Sequence, residues 1–158
     1  DFTCGLNLGI SYKNFDLSVY ANGAMGNQLV QSLRNQPNKQ ANYTTAVLSR
    51  WTGEGTSDKM PRVTETNINW QFSDLFLQKG DFLRINNITA GYDFFFFFNY
   101  KYISQCRFYA SVQNAFTFTK YDGMDPEIGY GTSSWVSGID LGYYPRPRTV
   151  LIGVNIKF

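Results

Sequence analysis

The sequence predicts an all-β protein, a transmembrane antiparallel β-barrel, and three observations carry that reading. Five segments alternate apolar and polar residues with period two, and none sustains the 3.6-residue period of an amphipathic helix. The polar positions of those segments hold mainly Gly, Ser, Asn, Gln and Tyr. That composition suits the wall of a wide lumen, whereas a face in bulk water would be richer in Lys, Glu and Thr. Connections alternate short and long, as in barrels with tight turns at one membrane surface and long loops at the other.

The first strand spans residues 2–12. Phe2, Cys4, Leu6, Leu8, Ile10 and Tyr12 share one face, and Thr3, Gly5, Asn7, Gly9 and Ser11 share the other. Lys13-Asn14 makes a two-residue turn, the shortest hairpin connection. The second strand, 15–25, returns with Phe15, Leu17, Val19, Ala21 and Gly23 on its apolar face. Residues 26–80 read as a long, mostly irregular loop containing Pro37 and Pro61, with a short helix around 28–34. The third strand, 82–94, changes parity: Leu83 and Ile85 are odd, whereas Ile88, Ala90, Tyr92 and Phe94 are even. One extra residue at Asn86-Asn87, a β-bulge, returns both sets to a single face. A connector opening with five consecutive Phe (94–98) leads to the fourth strand, 105–118, apolar at Cys106, Phe108, Ala110, Val112, Phe116 and Phe118. A second long loop, 119–147, precedes the last strand, 148–158. There Val150, Ile152, Val154, Ile156 and Phe158 oppose Thr149, Leu151, Gly153, Asn155 and Lys157. All five prolines fall in loops or at a strand's start, as ladder hydrogen bonding requires.

Strands of about eleven residues match the 9–11 that cross a bilayer at a tilt. The in-strand charges Asp16, Asp93, Arg107 and Lys157 take the parity opposite to the apolar face. Arg84 and Arg148 read as exceptions, each at the loop end of its strand, where an arginine snorkels. Tyr12, Phe15, residues 94–98, Tyr100, Tyr102 and Phe158 gather at the short-turn end, where an interfacial aromatic girdle is expected. The last strand, lipid-facing at Val150, Ile152, Val154, Ile156 and Phe158, resembles a barrel assembly signal. Five strands fall below the eight of the smallest barrels. An open edge in lipid would leave amides unpaired at several kcal/mol each. The chain is therefore expected to be the C-terminal five strands of a larger barrel, with 26–80 and 119–147 on the extracellular side.

Composition narrows the alternatives. With 18% aromatic and 16% charged residues, the chain has ample apolar surface to bury and is not disordered. A mean hydropathy of -0.30 and no eighteen-residue apolar run exclude a helical membrane bundle. A net charge of +2 gives no ground for a nucleic-acid partner or an anionic membrane surface. Histidine is absent, so the commonest metal ligand and general base are missing. Cys4 and Cys106 are not expected to bond. Three strand spacings separate them by about 14 Å, against the roughly 7 Å that a disulfide tolerates.

Several stretches resemble one family, the SusC/RagA-like TonB-dependent transporters of the Bacteroidetes outer membrane. They are Arg50-Trp51-Thr52-Gly53-Glu54-Gly55-Thr56-Ser57 and Asp81-Phe82-Leu83-Arg84-Ile85-Asn86-Asn87-Ile88-Thr89-Ala90-Gly91-Tyr92. Ala110-Ser111-Val112-Gln113-Asn114-Ala115-Phe116-Thr117-Phe118-Thr119-Lys120-Tyr121 and Gly123-Met124-Asp125-Pro126-Glu127 follow in the family's order. Tyr143-Tyr144-Pro145-Arg146-Pro147-Arg148-Thr149 then leads into the last strand. The resemblance implies a barrel of about 22 strands with a plugged lumen. It also implies energy from TonB, and import of oligosaccharides or peptides across the outer membrane of a Gram-negative bacterium. The partners it implies are the remainder of the same barrel, a SusD-like surface lipoprotein acting as a lid, membrane lipid and lipopolysaccharide, and the glycan or peptide substrate. TonB is implied too, through parts not in this chain, since the plug and TonB box lie N-terminal in the family. No cofactor and no enzymatic activity is implied.

Among loop residues, Trp51, Trp135, Tyr130, Tyr143 and Tyr144 are candidate contacts to substrate or lid. The competing reading is that such aromatics pack a long loop into a compact unit. Asp122, Asp125 and Glu127 offer carboxylates at short spacing for calcium, although the spacing is not that of an EF-hand. Asp140 with Glu127 as a glycosidase acid–base pair has no geometric support. The alternative of another class is a soluble secreted carbohydrate-binding β-sandwich using the same aromatics.

Overall fold

The computed structural model describes residues 1–32, 45–64, 73–94, 103–128 and 138–158. They divide between two compact units. The first comprises Asp1–Asn27, Gly80–Tyr121 and Tyr144–Phe158, and the second Gln28–Lys79 and Asp122–Tyr143.

The first unit is one antiparallel sheet of five strands: β1 (Phe2–Tyr12), β2 (Phe15–Met25), β5 (Phe82–Asp93), β6 (Gln105–Thr119) and β8 (Thr149–Lys157). They lie in the order β1-β2-β5-β6-β8, so that strands consecutive in this sheet are neighbours. Lys13 takes φ 52°, the left-handed value that two-residue hairpin turns need at their first central residue, and Tyr12 pairs with Phe15 across it.

Register lines the apolar residues into rows across the strands. Leu8, Val19, Ile88, Val112 and Val150 form one row, and Ile10, Leu17, Ala90, Ala110 and Ile152 the next. Toward the short turn comes the row Tyr12, Phe15, Tyr92, Phe108 and Val154. Phe94 packs edge-to-face on Tyr92 at 4.7 Å and on Phe108 at 5.1 Å. This is an aromatic girdle; residues 95–98, Tyr100 and Tyr102 lie outside the described residues. From Phe2 to Tyr12 the strand runs about 34 Å at about 3.4 Å per residue. Tilted by 35–45°, that length spans roughly 24–28 Å, the height of the lipid-facing band of a barrel.

This face is not a folded core. Ile152 is 82% exposed and Val150 63%. A soluble sandwich would cover these side chains, because each buried Val or Ile is worth about 1.5–3 kcal/mol. Exposed in regular rows, they mark the lipid face of a transmembrane β-barrel.

The expected bulge is present. Asn86 is skipped between Ile85 and Asn87 in the ladders to both β2 and β6, so Leu83, Ile85 and Ile88 share the lipid face. The same bulge corrects the reading of Arg84. It pairs with Asn22 and Thr117 on the polar face and is 2% exposed, so it does not snorkel from the lipid side.

The second unit corrects the expectation of a short helix around 28–34. Gln28–Gln31 is a strand, β3, paired antiparallel with β4 (Leu77–Lys79) and parallel with β7 (Ile139–Asp140). Leu29 and Phe76 are buried in it. Gln31 is buried too and donates to the Asp122 carbonyl at 3.2 Å while accepting from Gln78 at 3.1 Å. Short 3-10 turns occupy Thr45–Ser49 and Asp74–Phe76.

Candidate functional site

The polar face of the five-stranded sheet carries three successive clusters. Nearest the short turn, Arg107 on β6 reaches diagonally across β5 to Asp16 on β2. Its Nε donates to Asp16 at 3.0 Å and a terminal nitrogen donates to the second carboxylate oxygen. The guanidinium also lies 5.6 Å from the centre of the Tyr109 ring. Beside it Gln105 donates to Asp93 at 2.7 Å. An open pocket here is lined by Ser11, Lys13, Asn14, Asp16, Asp93 and Arg107 among others.

Two glycines make this arrangement possible. A Cβ at Gly91 would stand 2.5 Å from an Arg107 nitrogen and 2.6 Å from an Asp16 oxygen. A Cβ at Gly153 would stand 2.5 Å from the Tyr109 ring. Arg107 and Tyr109 therefore lie flat along the wall, because the neighbouring strands present no side chain beneath them.

In the middle of the face, Ser111 donates to Asn87 at 2.8 Å and lies 2.8 Å from the Thr89 hydroxyl. Toward the long loops, Arg84 donates to Thr117 at 3.1 Å and stacks near Phe82. Amides, hydroxyls and an ion pair line this face, as the wall of a water-filled or plugged lumen requires. Sequence reasoning placed Asp16 and Arg107 on this face without joining them. The signal was two opposite charges of one parity near one end, with Gly91 on the same face between their strands.

The loop candidates are distributed unevenly. Trp51 donates its backbone N–H to the Met60 carbonyl at 2.9 Å, next to a turn in which the Thr56 hydroxyl accepts from Thr52 and Gly53. Tyr143 is half-buried, and its backbone N–H donates to Asp140 at 3.4 Å. Tyr144 is 87% exposed. Trp51 and Tyr143 make no ring contact with one another among the described residues, and Trp135 and Tyr130 lie outside them. Val150, Ile152, Val154, Ile156 and Phe158 all stand exposed.

Asp125 and Asp140, acidic residues of the second long loop, are engaged in local turns. Asp125 accepts from the Glu127 backbone N–H at 2.9 Å. Among the described residues no three His, Cys, Asp or Glu side chains are grouped as metal ligands. Asp140 is 1% exposed and accepts from the Gly142 N–H at 2.8 Å, so its carboxylate fixes a turn. Cys4 and Cys106 are both free thiols.

A sheet with one apolar lipid face and one hydrogen-bonded polar face defines a wall segment of a transmembrane β-barrel. Over its whole length the chain is 34% identical to "TonB-dependent receptor SusC" of Bacteroides thetaiotaomicron and 32% identical to "TonB-dependent receptor P3" of Formosa agariphila. The solved "RagAB peptide importer in the 'closed-closed' state" superposes on 99% of the chain with a TM-score of 0.79 and 26% identity. No protein-family profile matches. The chain belongs to the SusC/RagA-like TonB-dependent receptors. It spans about 15–17% of the length of these relatives.

Proposed function

We propose that this chain supplies the C-terminal five strands of an outer-membrane transporter barrel of about 22 strands. In that reading residues 26–80 and 119–147 form extracellular loops. The assembled protein imports oligosaccharides or peptides with energy from TonB, and a SusD-like lipoprotein closes it from outside. The observation carrying this is that the match to a SusC receptor, 34% identical, spans the whole chain. Trp51, Tyr143 and Tyr144, with Tyr130 and Trp135, are the contacts proposed for substrate or lid.

The test is uptake by cells carrying the complete transporter, measured with labelled oligosaccharides and labelled oligopeptides and repeated after deletion of TonB. Import of one class that vanishes without TonB supports the reading. Uptake of neither class, or uptake indifferent to TonB, removes it. Co-purification of a surface lipoprotein, lost when loop 119–147 is shortened, tests the lid.

A further inference from the structure

We infer that Arg148 and Phe116, with Lys120 beyond them, form a site on the lipid face for the phosphate of a lipid headgroup in the outer leaflet. The inference rests on the orientation given under the proposed function, with the long loops outside.

The geometry starts at an irregularity in β6. Asn114 adopts φ 51°, a left-handed value that few residues other than Gly, Asn and Asp tolerate. It sits where the ladder to β5 passes from Gln113 directly to Phe116. From there its side-chain amide donates to the Pro147 carbonyl at 2.9 Å, pinning the chain one residue before Arg148. Pro145 and Pro147 stiffen the same approach.

Arg148 has the parity of Val150, and its guanidinium stands 5.4 Å from the centre of the Phe116 ring. Phe116 and Phe118 stack at 6.4 Å and are 50% and 56% exposed, on the rows that lie toward the long loops. Lys120 follows the end of β6 and is exposed. Among the described residues no carboxylate pairs with Arg148 or Lys120, in contrast to Arg107 with its Asp16.

A cation held against an aromatic ring at the edge of an apolar band, with no acidic partner, presents its donors outward at headgroup level. Guanidinium is the group best matched to phosphate oxygens, and the apolar rows beneath it accommodate the acyl chains of the same lipid. A free phosphate ion would use the cation without those rows.

The experiment uses the complete transporter in vesicles containing lipopolysaccharide or the same lipopolysaccharide treated with phosphatase. Lipid retained through purification is quantified by mass spectrometry. The wild type is expected to retain the phosphorylated form preferentially. Arg148→Gln is expected to lower that retention about tenfold, the order expected for one charge-assisted hydrogen bond. Phe116→Leu leaves the charge but removes its support, and is expected to give a smaller loss; it keeps the test open if Arg148→Gln does not assemble. Equal retention of the two lipids by the wild type, or retention unaffected by both substitutions, overturns the site. Displacement by inorganic phosphate alone overturns the lipid assignment. Protease cleavage of the long loops on intact cells reports orientation separately. Loops cut from outside with no dependence on Arg148 overturn only the lipid site, whereas loops inaccessible from outside overturn the orientation and the transporter reading with it.

Discussion

A single position decides which medium a side chain meets, and Val154 and Asn155 make that choice visible. Val154 faces lipid in the row of Phe108, and Asn155 pairs with Arg107 on the polar face. Arginine on the lipid face near mid-membrane costs about 2–4 kcal/mol, whereas a lumen position tolerates it. Val150→Arg, in the row of Leu8, Val19, Ile88 and Val112 at the middle of the sheet, should therefore lower the unfolding free energy of the complete barrel by about that amount, while Leu151→Arg, on the polar face opposite Ser111, should leave it nearly unchanged. Gly91 gives a second contrast. Gly91→Ala pushes a methyl group between Arg107 and Asp16, which hold each other and cannot both yield. A loss of about 1–3 kcal/mol is expected, the usual cost of overpacking, and most of it should vanish in an Arg107→Ser background. Unfolding in urea checks both. At this scale the sequence was informative about faces and silent about partners. Parity put Asp16 and Arg107 on the same side, but the diagonal that joins them depends on strand order and on a missing side chain at Gly91.

At the scale of elements, period-two alternation located the five long strands, and the parity change inside β5 located its bulge. The second sheet was illegible for a physical reason. β3, β4 and β7 have four, three and two residues, too few for alternation to be read, and their pairing joins segments far apart in sequence. Arg84 was misjudged because its parity was read without the bulge that sets it. That dependence is testable. Deleting Asn86 should turn residues 82–85 over, sending Leu83 and Ile85 to the lumen and Arg84 into lipid, whereas Asn86→Ala keeps the residue count and the faces. Loss of heat-modifiable barrel on gel electrophoresis is expected for the deletion and not for the substitution. A deletion that assembles normally would show that the bulge does not set the register.

On the scale of the whole molecule, the described residues leave β1 and β8 as the two edges of the sheet. Each edge carries a row of backbone N–H and C=O groups, and in hydrocarbon every unpaired group costs several kcal/mol. The exposed apolar face and the unpaired edges have one joint solution, which is further strands on both sides closing a barrel around the polar face. The loop aromatics were legible only as a composition, since rings such as Trp51 and Tyr144 acquire a role from what covers them. The most direct measurement is a structure of the complete transporter in a lipid nanodisc, read at the edges of this sheet. Phe2–Tyr12 and Thr149–Lys157 are each expected to be hydrogen-bonded to a further strand of the same barrel, with Ile152 and Val154 against lipid. Either edge free in the hydrocarbon layer, or the apolar face packed inside a soluble domain, would contradict the account.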